Sequence, residues 1–232
     1  MQNGIIYRGP SLYDGAPIVV IATMGGSRKN AKTGAMLQTY ILREDINPLE
    51  ASKTGADASI CGNCIHRGTA TTDPKRKQAV GRTCYVKLFQ GVLQVWKAYH
   101  RDSYSLLGRR GLVQLGAGRM IRLGTYGDPA CVPTMVWQNL LRQAVGWTAY
   151  SHNPGWRPEI AMQSADTLGQ AQAFWDQGMR TFRTVKSVDE IVAGSEILCP
   201  ASKEAGRRVT CEMCKLCAGS ASAAKSIAIP LH

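Results

Sequence analysis

The feature that most restricts the fold is a cysteine run near the C-terminal end. Cys211, Cys214 and Cys217 are spaced two residues apart, and Cys199, followed at once by Pro200, lies twelve residues before them. Half of the chain's eight cysteines fall in this stretch, so any fold must accommodate four closely set thiols. Four thiolates complete a tetrahedral zinc site or hold a cubane iron–sulfur cluster. Structural zinc usually draws on two separated Cys-x2-Cys knuckles. A continuous Cys-x2-Cys-x2-Cys run instead wraps three corners of a cubane, leaving a Cys-Pro for the fourth. The bacterial cluster motif has the same parts, with its Cys-Pro after the run. The segment is therefore read as a [4Fe–4S] site, with zinc as the alternative.

A second group, Cys61, Cys64 and Cys84, has the spacing Cys-x2-Cys-x19-Cys. Three ligands with a fourth position open are what a catalytic metal or a substrate-binding cluster requires. His66 or Cys131 could close the site instead. Cys131 equally suits a small buried apolar position.

Clustered cysteines in a reducing compartment are more often metal ligands or redox groups than disulfides. The first residues show no basic-then-apolar leader pattern, and no run of about 18 apolar residues exists. The expected location is therefore the cytoplasm, with no membrane partner. The chain carries 28 Lys+Arg against 16 Asp+Glu, a net charge of +12. Between Arg67 and Arg122 there are twelve basic residues against Asp73 and Asp102, so this quarter of the chain supplies +10 of the excess. Such a concentration predicts contact with a nucleic acid or another polyanion, or else a basic solvated face. Arg28, Lys29 and Lys32, in a polar loop that lacks the P-loop ending, are further candidates for phosphate contact.

With 44% hydrophobic residues the 232-residue chain can build a substantial core. Residues 17–23 and 35–42 read as paired strands. A helix is expected over Tyr85–Tyr99, where apolar side chains recur at helical spacing and its aromatics belong in the core. From Met120 onward, short strands alternate with helices and turns. That rhythm predicts parallel pairing with right-handed crossovers. The expected architecture is a single α/β domain, a partial or complete parallel (β/α) barrel. Its parts are N-terminal strands (1–59), a cysteine loop (60–85), alternating β/α elements (86–198) and a cysteine-rich, metal-binding C-terminal segment (199–232).

Polar residues follow the predicted strands: Asp128, His152, Asp166 and Cys199. In parallel α/β folds this edge builds active sites. Asp128 and His152 are the candidate catalytic pair, although an aspartate in Gly-Asp-Pro also serves as a turn or helix cap. Asp166 is placed to cap the following helix. Arg122 and Arg183 point into predicted strands and need an acidic partner if buried.

A cysteine loop, a helix, a strand ending in "GTYGDP" (Gly124–Pro129), alternating elements and a second cysteine group follow in that order. This layout resembles that of radical S-adenosylmethionine enzymes. The resemblance implies an open cluster on Cys61, Cys64 and Cys84. It also implies that Tyr126, Gly127 and Asp128 form the turn that holds the cofactor's amino group. The family's Cys-x3-Cys-x2-Cys spacing is absent here. Over nearly its full length, through "GPSLYDGAPIVVIAT", "KTGADASICGNC", "LGTYGDPA" and "CPASKEAG…TCEMCKLC", the chain is also similar to a family of proteins encoded by bacteriophages and prophages. That likeness implies the cytoplasm of a bacterial host and carries no activity over. Two functions are expected: an iron–sulfur enzyme with one or two [4Fe–4S] clusters acting on nucleic acid or a nucleotide, or a zinc-stapled basic nucleic-acid-binding protein without catalysis. A phage structural or host-takeover interaction protein is a third.

Overall fold

The computed structural model describes residues 3–24, 32–221 and 223–231. Arg28 and Lys29 lie outside the described residues.

The N-terminal strands form where apolar β-branched runs can be covered on both faces. In β2 (Pro17–Thr23), Ile18 to Ala22 are all fully buried, so the strand is a continuous apolar run without alternation. It pairs antiparallel with β1 (Asn3–Pro10) on one side and with β3 (Leu37–Arg43) on the other. From β3 the pairing turns parallel. β4 (Met120–Tyr126) joins β3, and β5 (Gly146–Thr148) joins β4, giving a five-stranded sheet of order β1-β2-β3-β4-β5.

The second sheet begins one residue later. Ala149 separates β5 from β6 (Tyr150–Ser151). The other strands are β7 (Met162–Ala165), β8 (Thr181–Val185), β9 (Glu196–Leu198) and β10 (Ser226–Pro230). They pair in parallel in the order β6-β7-β8-β10-β9. The Ala149 N–H donates to the Cys217 carbonyl at 3.1 Å, and its own carbonyl accepts from Met162 at 2.9 Å. The C-terminal cysteine segment is thus stitched into the seam between the sheets.

The helices are α1 (Pro48–Thr54), α2 (Ala58–Cys61), α3 (Leu93–Tyr99), α4 (Arg109–Gly116), α5 (Thr134–Leu141), α6 (Leu168–Trp175) and α7 (Cys211–Cys214). α5 and α6 lie in the β4–β5 and β7–β8 crossovers, as the alternation predicts. Thr167 and Gln170 close α6 with a reciprocal capping box. The fully buried Trp137 of α5 anchors that helix by donating its indole N–H to the Pro129 carbonyl at 2.9 Å.

The α/β class with mostly parallel strands stands, but a closed barrel is not formed by the described strands. β1 and β9 are outer strands, each bonded to one neighbour. The antiparallel N-terminal strands offer no parallel edge with which to close a ring, and β10 inserts between β8 and β9. The helix expected from Tyr85 begins later. A π-turn at Leu88–Val92, broken at Gln90 (φ −96°, ψ −122°), precedes α3. The break takes Tyr85 and Phe89 off the core face, and they are 66% and 60% exposed.

Arg183 finds its acid in Glu196. The two sit on β8 and β9, bonded at 2.9 and 2.6 Å across the intervening β10, with side chains 5% and 0% exposed. The basic segment is divided. Arg67 is spent inside the cysteine loop and Arg122 is buried, whereas Lys75, Arg76, Lys77, Arg109 and Arg110 are exposed. No helix among the described residues is long and apolar enough to cross a membrane.

Candidate functional site

Side chains at alternate positions of parallel strands face one side of a sheet. Here Arg122, Gly124 and Tyr126 of β4, Thr148 and Tyr150 on either side of Ala149, and Thr184 of β8 all line one cavity of about 370 Å³. A volume of this size suits a small molecule. The cavity receives both cysteine groups, together with the residues that follow β4, β6, β7 and β9: Asp128, His152, Asp166 and Cys199.

Cys199 leaves β9 with its N–H on the Ala228 carbonyl at 2.8 Å. Cys211 and Cys214 occupy the two ends of the one-turn helix α7, so their side chains share a face. Thr210 caps that turn, and Lys215 at φ 57° reverses the chain so that Cys217 also faces the cavity. Cys211 and Glu212 donate their N–H groups to the Lys32 and Thr33 carbonyls, which anchors the turn on the segment leading into β3. Burial raises the Cys199 and Cys211 thiols and takes Cys217 to about 12. Lys32 acts against this at Cys199, Arg122 and Lys32 act against it at Cys211, and the Tyr150 hydroxyl acts against it at Cys217. Arg180, whose own charge is opposed by burial, is favoured by Cys217 and Cys214. Four thiols therefore sit among three cations.

No three of these sulfurs lie within 4.8 Å of one another. Thiolates on one zinc ion stand roughly 3.8 Å apart, given a Zn–S bond near 2.3 Å. In a cubane each thiolate has its own iron, and the sulfurs stand farther apart.

Cys61 ends α2, and Cys64 precedes a 3-10 turn, Ile65–Arg67. Cys84 returns to the same place because the N–H groups of Thr83 and Cys84 both bond the His66 carbonyl. Arg67 clamps the loop through Asp57 at 2.7 Å and the carbonyls of Gly55 and Gly62. Burial pushes Cys61 well up, and neighbouring Asp57, Cys64 and Cys84 add to it. Cys131 is fully buried in the apolar core and does not line the cavity.

Beside Cys64, His152 Nε2 lies 3.3 Å and His66 Nε2 lies 3.7 Å from the same oxygen of Asp166. The His66 Nδ1 pairs with the Thr83 hydroxyl at 2.8 Å. Burial lowers His66. Burial also opposes charge on His152, but Asp166 and Cys64 outweigh it and raise His152 to about 10. Asp128 is 6% exposed; its oxygens accept from the N–H groups of Ala130 at 2.9 Å and His152 at 2.7 Å. Gly127 (φ 89°) lets the turn press on the core, since a Cβ there would stand 2.7 Å from that of Ile41.

Three buried polar atoms on the cavity wall have no protein partner: Arg122 Nε, the Thr148 hydroxyl and the Tyr126 hydroxyl. Arg122 also bonds the Tyr85 hydroxyl. Sequence reasoning named Arg122, Tyr126, Asp128, His152 and Asp166, but not Tyr85, Thr148, Tyr150, Thr83 or Arg180. Of these, Thr148 and Tyr150 were within reach, because they alternate along a strand the sequence does reveal. Comparison of the chain with protein-family models, curated proteins and solved structures returns no match in any of the three.

Proposed function

We propose that this chain is an iron–sulfur protein whose chemistry takes place in the shared cavity. Cys199, Cys211, Cys214 and Cys217 would hold a [4Fe–4S] cluster, and Cys61, Cys64 and Cys84 would hold a second centre with one position open. The observation that carries this reading is the environment of Arg122. A buried guanidinium needs a countercharge. Among the described residues Arg122 has no carboxylate partner; its guanidinium lies 5.9 Å from the ring centres of Tyr85 and Tyr150, with Cys211 and Cys217 beside it. Protonated thiols offer no charge. Four thiolates on a metal centre carry net negative charge, which Arg122, Lys32 and Arg180 offset. That no three of the sulfurs lie within 4.8 Å of one another fits separate irons of a cluster better than one shared zinc ion.

Such centres supply electrons one at a time. The chain's own part is to hold them in a mostly apolar pocket, to set their potential with nearby cations and to leave Arg122 Nε and Thr148 for an anionic group of the substrate. The exposed lysines and arginines between Lys75 and Arg110 favour a nucleotide or nucleic acid as that substrate. S-adenosylmethionine fits in part: the Tyr126–Asp128 turn borders the cavity, but both Asp128 oxygens are committed to backbone N–H groups.

The same exposed cations support a second reading, a zinc-stapled nucleic-acid binder. Its affinity would fall steeply with salt. Metal and sulfide analysis of anaerobically purified protein, with its optical spectrum, separates the two. A cluster protein contains about four irons per chain, or about eight with both centres filled. Its broad visible absorbance bleaches on reduction; in Cys214→Ser it is lost where only the C-terminal centre is filled and falls by about half where both are. Zinc without sulfide would sink the cluster reading.

A further inference from the structure

We infer that His66, His152 and Asp166 form a separate site for one divalent first-row metal ion, with open coordination positions facing the cavity. Two imidazoles converge on a single carboxylate oxygen, where one ion pair would need only one of them. One oxygen of Asp166 is approached by two imidazole Nε2 atoms, at 3.3 and 3.7 Å. Both separations exceed the 2.7–3.2 Å of a good N–H···O bond. Ligands about 2.1 Å from one metal stand roughly 3 to 3.5 Å apart; the 3.3 Å separation falls in that range and the 3.7 Å separation stands just outside it, within a small side-chain adjustment. Among the described residues this is the one group whose ligand atoms all lie within 4.8 Å of one another.

Supporting contacts fix each ligand. The His66 Nδ1 bonds Thr83, which leaves Nε2 as the lone-pair nitrogen when Nδ1–H donates, with the Thr184 hydroxyl 3.5 Å from it as the contact an ion would displace. The His152 backbone is held by Asp128. The Asp166 N–H bonds Gln170 at the start of α6. The three side chains come from three separate loops and are 16%, 22% and 12% exposed, so none is a freely solvated group. Two histidines and one carboxylate on one side of an ion leave the other positions free, the pattern of non-haem Fe(II) sites. The donor set is nitrogen and oxygen. It differs in kind from the all-thiolate centres, although Cys64 lies within hydrogen-bonding reach of His152. The ligand to such an ion would be an oxygen of a carboxylate or phosphate bound in the cavity.

Mn(II) is the suitable probe, because it favours oxygen and nitrogen over thiolate. The full chain, purified without air, is titrated with Mn(II) and the free-ion paramagnetic resonance signal is followed. One bound ion per chain is expected. Asp166→Asn and His66→Ala should each weaken binding by about a hundredfold or more, and Thr83→Val by about tenfold. Cys214→Ser, which should abolish the C-terminal cluster, should leave Mn(II) binding unchanged, so the two proposals fail independently. Absence of stoichiometric Mn(II) binding by the wild-type chain would overturn the inference whatever the variants do. So would binding that survives Asp166→Asn in folded protein, or binding lost in Cys64→Ser but not in His66→Ala.

Discussion

The Asp128 carboxylate accepts the backbone N–H of His152 at 2.7 Å, which joins the turn after β4 to the turn after β6. The two residues that the sequence marks as a catalytic pair are therefore linked through a main chain. Asp128 also caps Ala130, so its charge is used to hold two turns at fixed separation. Removing it leaves two N–H groups unpaired in a buried site. Asp128→Ala should cost about 2–3 kcal/mol, and Asp128→Asn, which keeps one acceptor oxygen, about 1 kcal/mol. Urea unfolding should show lower midpoints with unchanged slopes.

The Arg183–Glu196 pair fixes β9 to β8 across β10 and is almost wholly removed from water. Glu196 also accepts the N–H of Val192 at 3.0 Å. Glu196→Ala strands a buried guanidinium and should destabilise the chain by about 3–5 kcal/mol. Replacing both partners by leucine should cost far less than the sum of the single changes, because no uncompensated charge then remains. A double-mutant cycle by chemical denaturation measures the difference. Additive losses would show that the pair is not coupled.

Most strands from β4 to β10 were legible as short, mainly apolar runs that end in polar or turn residues, although "WTAYS" reads as one strand and is divided at Ala149 between β5 and β6, in two sheets. Their order was less so: nothing local in "EILC" or "SIAIPL" says that the later strand inserts inside the earlier one. α1 escaped notice although its start and stop are written out, with Asn47 as cap, Pro48 in the first turn and Gly55 in the left-handed region after it. It is too short to show a period. At Tyr85 and Phe89 the period was present and misled, since the π-turn breaks the face it implies. The cysteine groups could be found by spacing alone. The His66–His152–Asp166 trio could not, because its members come from three loops and meet only when β6 and β7 bring their ends to the cysteine loop. His152 and Asp166 were each visible as polar residues following a strand, but not as a set.

If Arg122 is the countercharge of the C-terminal cluster, its removal should tune the centre without emptying it. A positive charge beside a cluster favours the more negative, reduced form. Arg122→Met in cluster-loaded protein should shift the reduction potential to more negative values at unchanged iron and sulfide content. Arg122→Lys should restore most of the shift. Spectroelectrochemical titration reads the change, and an unaltered potential in Arg122→Met would remove Arg122 from this role.

Outside the cavity lining, Glu44 gathers Arg8 at 2.5 Å, the Tyr99 hydroxyl at 2.7 Å and, through its backbone carbonyl, His100 at 3.0 Å. Burial opposes its charge, but the hydrogen bonds from Arg8 and Tyr99 outweigh that and hold its carboxyl below the usual range. The unfolded chain, with a glutamate near 4.3, therefore takes up a proton at higher pH than the folded one does. The stabilisation is fully present above that value and is lost as pH falls through the lower, folded value. Glu44→Gln should thus be less stable than the parent chain at neutral pH by a constant margin that closes in acid. Arg8 is solvent-exposed, so the margin is small and should shrink further with added salt. Denaturation curves of the two proteins, collected from neutral pH to pH 3 at two ionic strengths, should converge at the acid end. A margin that persisted there would mean that the substitution acts through packing around Tyr99 and not through the charge.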